Sequence, residues 1–314
     1  MIITVTVNPS LDRTIVLDAP LRPGAVQAAV SAREDAGGKG INVARVLAAA
    51  GEETLAVLPL ADDDPYLAAL AAQHLPVRTV PVRGHCRANI TVTDPAGVTT
   101  KLNLPGATPS AGELEALQAA VVEAAEGARW VVLAGSLPPG VPDDLYAGII
   151  RALRSRWGQA APRVAVDASG PALRAAVADA RPDLIKPNDD ELAELSGIAL
   201  DAGDDAARVA AGIARALVPG RVGAVLVTLG GRGAVLVDAT GAYAAEPPQT
   251  RVRSTVGAGD SSLAGYLLAE SAGGGPAACV ASAVRHGSAA ASLPGTMVPR
   301  PADLPAADIP VARI

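Results

Sequence analysis

The 314-residue chain contains no phenylalanine, two tryptophans and four tyrosines, so rings are 2% of a sequence that is 50% hydrophobic. Its apolar content is Ala, Val, Leu and Ile, which suits helices packed on a buried sheet and supplies few rings for stacking nucleic-acid bases. A single-stranded nucleic-acid binder is therefore not expected. Charge is also sparse, at 18% against roughly 25% in an average soluble protein. Long apolar runs are nevertheless missing: the longest stretches without Asp, Glu, Lys or Arg are fourteen residues, Ser271 to Val284 and His286 to Pro299. Both contain Gly and Pro and fall short of the ~20 apolar residues of a spanning helix. Cysteine is scarce, with Cys86 and Cys279 too far apart to suggest a disulfide framework or a CxxC metal site, which fits a reducing compartment. The segment from Met1 to Asp12 lacks the basic start and apolar core of a signal peptide, and a cytoplasmic location is expected. Lys and Arg number 26 against 32 Asp and Glu, a net charge of −6 that argues against a polyanion-binding surface. Any phosphate must be held locally.

What the chain does contain is alternation. Ile2 to Val7, Thr54 to Leu60, Trp130 to Ala134, Arg163 to Asp167, Asp183 to Lys186 and Ala224 to Leu229 read as short buried strands. Between them Ile41 to Ala50, Glu113 to Glu126, Asp144 to Arg156, Asp189 to Leu195 and Asp205 to Leu217 read as amphipathic helices. The pattern predicts an α/β fold, a mostly parallel sheet with helices on both faces. Two segments break the rhythm and read as paired strands: Arg13 to Arg33 around a turn at Pro23-Gly24, and Arg87 to Leu104 around Pro95-Ala96-Gly97. They predict a small β-sheet lid made of 13–33 and 87–104 on an α/β core made of 1–12, 34–86 and 105–314. The lid has too few apolar residues to stand alone and should cover a cleft or pair with a second copy. The Pro/Ala-rich tail from Pro299 to Ile314 is expected to wrap the surface.

Several Gly-rich turns carry candidate chemistry. Ser254-Thr255-Val256-Gly257-Ala258-Gly259-Asp260 precedes an apolar helix, and small residues at a helix start leave N–H groups free for an anion. Asp260 there would repel a phosphate unless it serves as a general base for an attacking hydroxyl; as a plain first-turn acid it would simply stabilise the helix. Lys186-Pro187-Asn188-Asp189-Asp190-Glu191 reads as a capping box, or as an amide and a carboxylate that hold Mg²⁺ through water. Ala36-Gly37-Gly38-Lys39-Gly40-Ile41-Asn42 opens a helix but fails the Walker pattern, since Arg33 stands where its first Gly belongs and Gly40 where Ser or Thr belongs. It also lacks a dinucleotide fingerprint, which leaves no basis for an NAD-dependent dehydrogenase. Gly135-Ser136-Leu137-Pro138 lacks the G-x-S-x-G elbow, so Ser136 reads as a binding residue. His74, His85 and His286 have no metal-ligand spacing. Thr228-Leu229-Gly230-Gly231-Arg232-Gly233 reads as a tight hairpin or a backbone approach to a nucleotide.

Taken in order, Thr6 to Pro9 with Asp12, Ala36 to Val43, Gly84 to Ile90, Gly135 to Gly140, Lys186 to Glu191, Thr228 to Ala234 and Ser254 to Asp260 resemble the ribokinase-like (PfkB-type) carbohydrate kinase family, in its phosphosugar branch. The resemblance implies a Rossmann-like core whose β-sheet lid often pairs with that of a partner subunit, giving a homodimer. It makes Asp260 the catalytic base and the amides of Gly257, Ala258 and Gly259 an anion hole. ATP would lie along Lys186, Asn188, Thr228, Gly230, Gly231, Arg232 and Gly233, with Ser254, Thr255, Val256 and Gly257 to Gly259 beneath its phosphates and His286 at the adenine. Mg²⁺ would be held by Asn188 and Glu191 through water. The phosphosugar would meet Asp12, Gly38, Lys39, Asn42, Arg87 and Ser136, with Lys39 and Arg87 facing its existing phosphate. The implied reaction is fructose 1-phosphate plus ATP to fructose 1,6-bisphosphate plus ADP. Tagatose 6-phosphate or fructose 6-phosphate are alternative substrates, and a non-catalytic sugar-phosphate sensor is the alternative from another class. With so few rings, adenine is expected between aliphatic and Ala/Gly walls, and the phosphates in a small cationic pocket.

Overall fold

Val, Ile, Leu and Ala runs bounded by Gly, Pro and Asp build the strands, and Ala-rich stretches between them build the helices. A computed structural model describes residues 1–200 and 205–314. The first half runs β1 (Ile2–Thr6), β2 (Ser10–Leu17), β3 (Ala29–Gly37), α1 (Lys39–Ala49), β4 (Thr54–Leu60), α2 (Tyr66–Ala71), β5 (Val77–Pro81), β6 (Arg87–Thr93), β7 (Thr99–Leu104) and α3 (Ala111–Ala124). It continues through β8 (Trp130–Ala134), α4 (Leu145–Trp157), β9 (Arg163–Asp167), α5 (Gly170–Asp179), β10 (Leu184–Ile185) and α6 (Asp189–Ser196). The last part comprises α7 (Ala206–Arg215), β11 (Ala224–Thr228), β12 (Ala234–Asp238), β13 (Gly241–Ala245), α8 (Ala258–Ser271), α9 (Pro276–Ser292) and β14 (Val311–Arg313).

Ten strands form one sheet in the order β14-β13-β12-β11-β10-β9-β8-β1-β4-β5. The stretch from β11 to β5 is parallel, and β12, β13 and β14 add an antiparallel edge. Residues alternate between faces along each strand. On β8, Val131 and Leu133 join a core with Tyr146, Ile149, Leu173 and Ile213 of the helices on one side, while Trp130 and Val132 pack with Val43, Leu263 and Val280 on the other. The expected helices on both faces are present. Because all the parallel strands point the same way, their C-terminal ends and the loops that follow share one edge, where ligands bind in such sheets.

A second sheet of four strands, in the order β3-β2-β6-β7, is the lid. Its ladder runs past the expected boundaries: Ser10 pairs with Gly37 and Asp12 with Asp35, so 10–12 and 34–37 belong to the lid sheet. Strand β2 also pairs in parallel with β6, which sets Ser10 beside Arg87 and Asp12 beside Asn89. The tail departs from expectation as well. Rather than only wrapping the surface, it ends as β14, which pairs with β13 (Tyr243 with Arg313) and covers an otherwise open edge.

Candidate active site

Helix α8 opens on Gly257 in the left-handed region (φ 74), a conformation glycine adopts without a Cβ clash. Ser261 donates to the Gly257 carbonyl at 2.8 Å and closes the first helical turn, so the amides before it stand outside the helical ladder. The Ala258 N–H turns toward the Thr255 carbonyl at 3.4 Å. The positive end of the helix therefore faces a cavity of about 730 Å³ lined by Thr255, Gly257, Ala258, Gly259 and Asp260 on this side. Ser254 instead accepts from the Val256 N–H at 3.2 Å and shapes the loop.

Asp260 is 6% exposed. Its Oδ2 accepts from Asn42 Nδ2 at 2.8 Å, a bond between the first turns of α8 and α1. Burial, and next the negative charge of Asp167, push its carboxyl up to about 6, against the pull of Lys39, Asn42 and Lys186. A carboxylate so poised is charged at neutral pH yet basic enough to accept a proton from a hydroxyl as that hydroxyl attacks. Asn42 was expected on the sugar; its amide is held on Asp260.

Lys39 was expected to face the sugar's phosphate. Its Nζ lies 2.8 Å from Asp167 Oδ1 and 3.8 Å from Glu191 Oε1, and it lines the same cavity as Asp260. Burial works against its charge, but the two carboxylates outweigh that and raise its pKa. Lys186, 4% exposed, sits 3.3 Å from Asp167 Oδ2, and a Cβ on Gly259 would stand 3.3 Å from its Nζ. Arg232 pairs with Asp189 at 3.1 Å. The expected cationic pocket is thus charge-compensated, because buried ammonium groups without partners would lose their hydration uncompensated. Asp167 had no role in the sequence reading. It ends a Val-rich strand, and nothing local marks a carboxylate that pairs with residues 128 and 19 positions away.

Asn188 and Glu191 form the expected capping box: Asn188 Oδ1 accepts from the Glu191 N–H at 2.7 Å, and Glu191 Oε2 accepts from the Asn188 N–H at 2.9 Å. Glu191 lines the cavity, with its Oε1 3.8 Å from Lys39 Nζ. Mg²⁺ usually binds one or two carboxylates plus phosphates and water, so this single oxygen fits an ion held mainly by a nucleotide. Among the described residues there is no cluster of three or more His, Cys, Asp or Glu side chains to cage a metal.

The far end of the cavity is bounded by Thr228, Gly230, Gly231 and Gly233, then by Ala234, Pro247, Pro248, Val252, Val284, Gly287 and Ala291. Among the described residues no aromatic ring lines it. Thr228 is carried there by a bridge to Asn188 at the sheet edge. His286 does not reach this wall. It points from α9 into α8, with Nδ1 2.9 Å from the Ser282 carbonyl, and burial lowers its pKa. Its place is taken by Val284 and Gly287, the residues on the other face of the same turn.

A second set of groups centres on the β2–β6 pair of the four-strand sheet. Asp12 Oδ1 accepts from Ser10 Oγ at 2.9 Å and Asn89 Nδ2 at 2.8 Å, and burial raises its carboxyl. The Nε of Arg87 and the Oδ1 of Asn89 are buried without a partner. Asn89 was missed; its signal was its place opposite Asp12 in the β2–β6 register. Ser136 accepts from Asn8 at 3.3 Å where β8 and β1 end. Two of the few rings act as struts for these loops: Tyr66 Oη donates to the Gly37 carbonyl, beside Gly38, and Tyr146 Oη to the Gly135 carbonyl.

A helix N-terminus for an anion, a buried carboxylate beside it, and a separate set of polar groups on the four-strand sheet fit a phosphotransferase acting on a hydroxyl. Residues 6–303 match the pfkB family carbohydrate kinase, and the chain belongs to that family. It is 40% identical over 279 residues to a 1-phosphofructokinase of Rhodobacter capsulatus, covering 87% of this chain and 84% of that one. It is 34% identical over 270 residues to the ATP-dependent 6-phosphofructokinase isozyme 2 of Escherichia coli, covering 85% and 84%. The solved phosphofructokinase-2 from Escherichia coli in complex with potassium superposes with a TM-score of 0.85 at 32% identity over 96% of both chains.

Proposed function

We propose that this carbohydrate kinase transfers the γ-phosphoryl group of ATP to the 6-hydroxyl of fructose 1-phosphate, giving fructose 1,6-bisphosphate and ADP. The observation that carries the reading is Asp260: a buried carboxylate with a pKa of about 6, held by Asn42 and lining the nucleotide-sized cavity. Asp260 takes the hydroxyl proton as the oxygen attacks the γ-phosphorus in line, and the bond to the bridging β,γ-oxygen breaks. The Gly257 and Gly259 amides with Lys39 and Lys186 offset the charge on the migrating group. Adenine fits the aliphatic end between Pro247, Val252, Val284 and Ala291. Glu191 and Asn188 would help hold a Mg²⁺ bound with the nucleotide, which would supply positive charge to offset that of the phosphates, and Asn188 holds the Glu191 turn.

Asp12 and Asn89 suit the sugar hydroxyls, and Arg87, with an unpaired buried Nε, suits the phosphate already on the sugar. The exposed apolar residues of the lid, among them Val16, Val30, Val98 and Leu102, support pairing with the lid of a second copy. Among the described residues no helix is long and apolar enough to cross a membrane, and the cytoplasm, where ATP is available, is the proposed compartment.

A coupled ADP-release assay with fructose 1-phosphate, fructose 6-phosphate and tagatose 6-phosphate tests the substrate. Fructose 1-phosphate is expected to give the highest kcat/KM. Turnover of only a 6-phosphate would reverse the assignment, and tight binding of a sugar phosphate without ATP turnover would make the protein a sensor.

A further inference from the structure

Asp167 is the last residue of β9 and has no accessible surface. It does not line the cavity, so it can act only through what it touches. Its two oxygens are divided between ammonium groups that reach it from separate elements: Lys39, in the first turn of α1, at 2.8 Å from Oδ1, and Lys186, just past β10, at 3.3 Å from Oδ2. A fully buried carboxylate is costly without such partners, and the pairing is mutual. Without the carboxylate, two like charges would face each other across a small gap and separate. The two contacts also differ. Lys39 makes a directed hydrogen bond, whereas Oδ2 has none. Lys186 is held at the longer distance, 3.3 Å, below the point where the missing Cβ of Gly259 opens the anion loop to it.

We propose that Asp167 is a positioning residue for phosphoryl transfer: its buried carboxylate spaces the Lys39 and Lys186 ammonium groups so that both meet the migrating phosphoryl group beneath the α8 anion loop. The proposal rests on the kinase reading above and adds to it a residue behind the site. It has a second consequence at the base. The charged groups around Asp260 are Lys39 on α1, Asp167 on β9, Lys186 after β10 and, beyond Lys39, Glu191 on α6. Of these, Asp167 raises the Asp260 carboxyl and the lysines lower it. Asp167→Asn removes the raising charge and keeps both lysines, so the acid limb of the pH–rate profile moves to lower pH even as turnover falls. A residue that only fills space would not move the limb in that direction.

The experiment compares full-length wild type, Asp167→Asn, Lys39→Met and the double variant. In Asp167→Asn, kcat is expected to fall roughly a hundredfold, the cost of misplaced catalytic groups, with the phosphosugar KM nearly unchanged. Adding Asp167→Asn to Lys39→Met should cost much less than it does alone, because the two act as a unit. Additive effects, an unchanged kcat or an unmoved acid limb would overturn the proposal. Should Asp167→Asn not fold, Asp167→Glu carries the test: it keeps the charge but shifts it by one methylene, so kcat should fall while the limb stays in place, and full activity would overturn the idea. Affinity for a non-hydrolysable ATP analogue, measured by calorimetry, separates this proposal from the kinase reading. A wild type inactive on every sugar phosphate would sink that reading alone. The analogue should still bind about tenfold more weakly to Asp167→Asn, and equal affinity would count against lysine spacing.

Discussion

The core sheet and the four-strand sheet are prepared for ligands differently. Every residue of β1 and β8 is buried, whereas no residue of β6 is buried and β7 is exposed at all but one position. The polar groups follow the same division. On the core side each charge already has a partner: Asp167 holds both lysines and Asn42 holds Asp260. On the lid side Asp12 is held, but Arg87 Nε and Asn89 Oδ1 are buried and unpaired. Unmade hydrogen bonds at buried atoms are unfavourable until a ligand supplies them. Under the proposed function the core half is preorganised for charge that develops during transfer, and the lid half would be completed by the sugar.

The largest way to break that division is at the base. Asp260→Asn keeps the shape and the Asn42 contact but cannot accept a proton, so kcat should fall roughly 10²- to 10⁴-fold. The phosphosugar KM, set on the lid side, should change little; steady-state kinetics that find near-normal kcat would remove Asp260 from the base role. A smaller effect contrasts the two sheets directly. Leu133→Ala opens a cavity in the buried sheet and should destabilise the protein by about 2–5 kcal/mol in urea denaturation. Leu102→Ala, on the exposed face of β7, should stay within about 0.5 kcal/mol. Leu102→Asp should instead shift a lid-paired dimer to monomers in light scattering, and an unchanged mass would place any self-association elsewhere.

Local features of the sequence and long-range ones were not equally legible. Strand and helix positions followed from apolar runs, because a parallel sheet buried on both faces needs them. The Asn188–Glu191 capping box was readable from its spacing alone. Asp260 stood out as an acid among small residues at a helix start, but a plain first-turn acid fits that pattern too, and its proposed role as base came from the family resemblance. Partners supplied by distant strand ends were not. The sequence did not show that Lys39 would pair with Asp167, and Asn89 takes its place beside Asp12 from the parallel pairing of β2 with β6. His286 failed for a rotational reason: on α9 it faces α8, and its neighbours Val284 and Gly287 face the cavity. Strand β14 escaped notice because three residues beside prolines show no period, yet they complete the edge next to β13.

The smallest effect sharpens the comparison because it should appear in both halves with unequal size. The Asp260 carboxyl is raised from 3.8 to about 6 by burial first, so folding disfavours its ionised form. That penalty is absent below the unfolded value near 3.8, grows as pH rises and is complete above about 6. Asp260→Asn should therefore melt a few degrees higher than wild type at pH 7.5, corresponding to about 1–3 kcal/mol, and the gain should disappear toward pH 4. Asp12 is also raised by burial, but Ser10 and Asn89 hydrogen-bond its charged form and it is only half-buried. Asp12→Asn should gain less, with the same sign of pH dependence. Equal gains at both positions, or a gain that persists at pH 4, would mean that the base is no more strained than the sugar ligand opposite it.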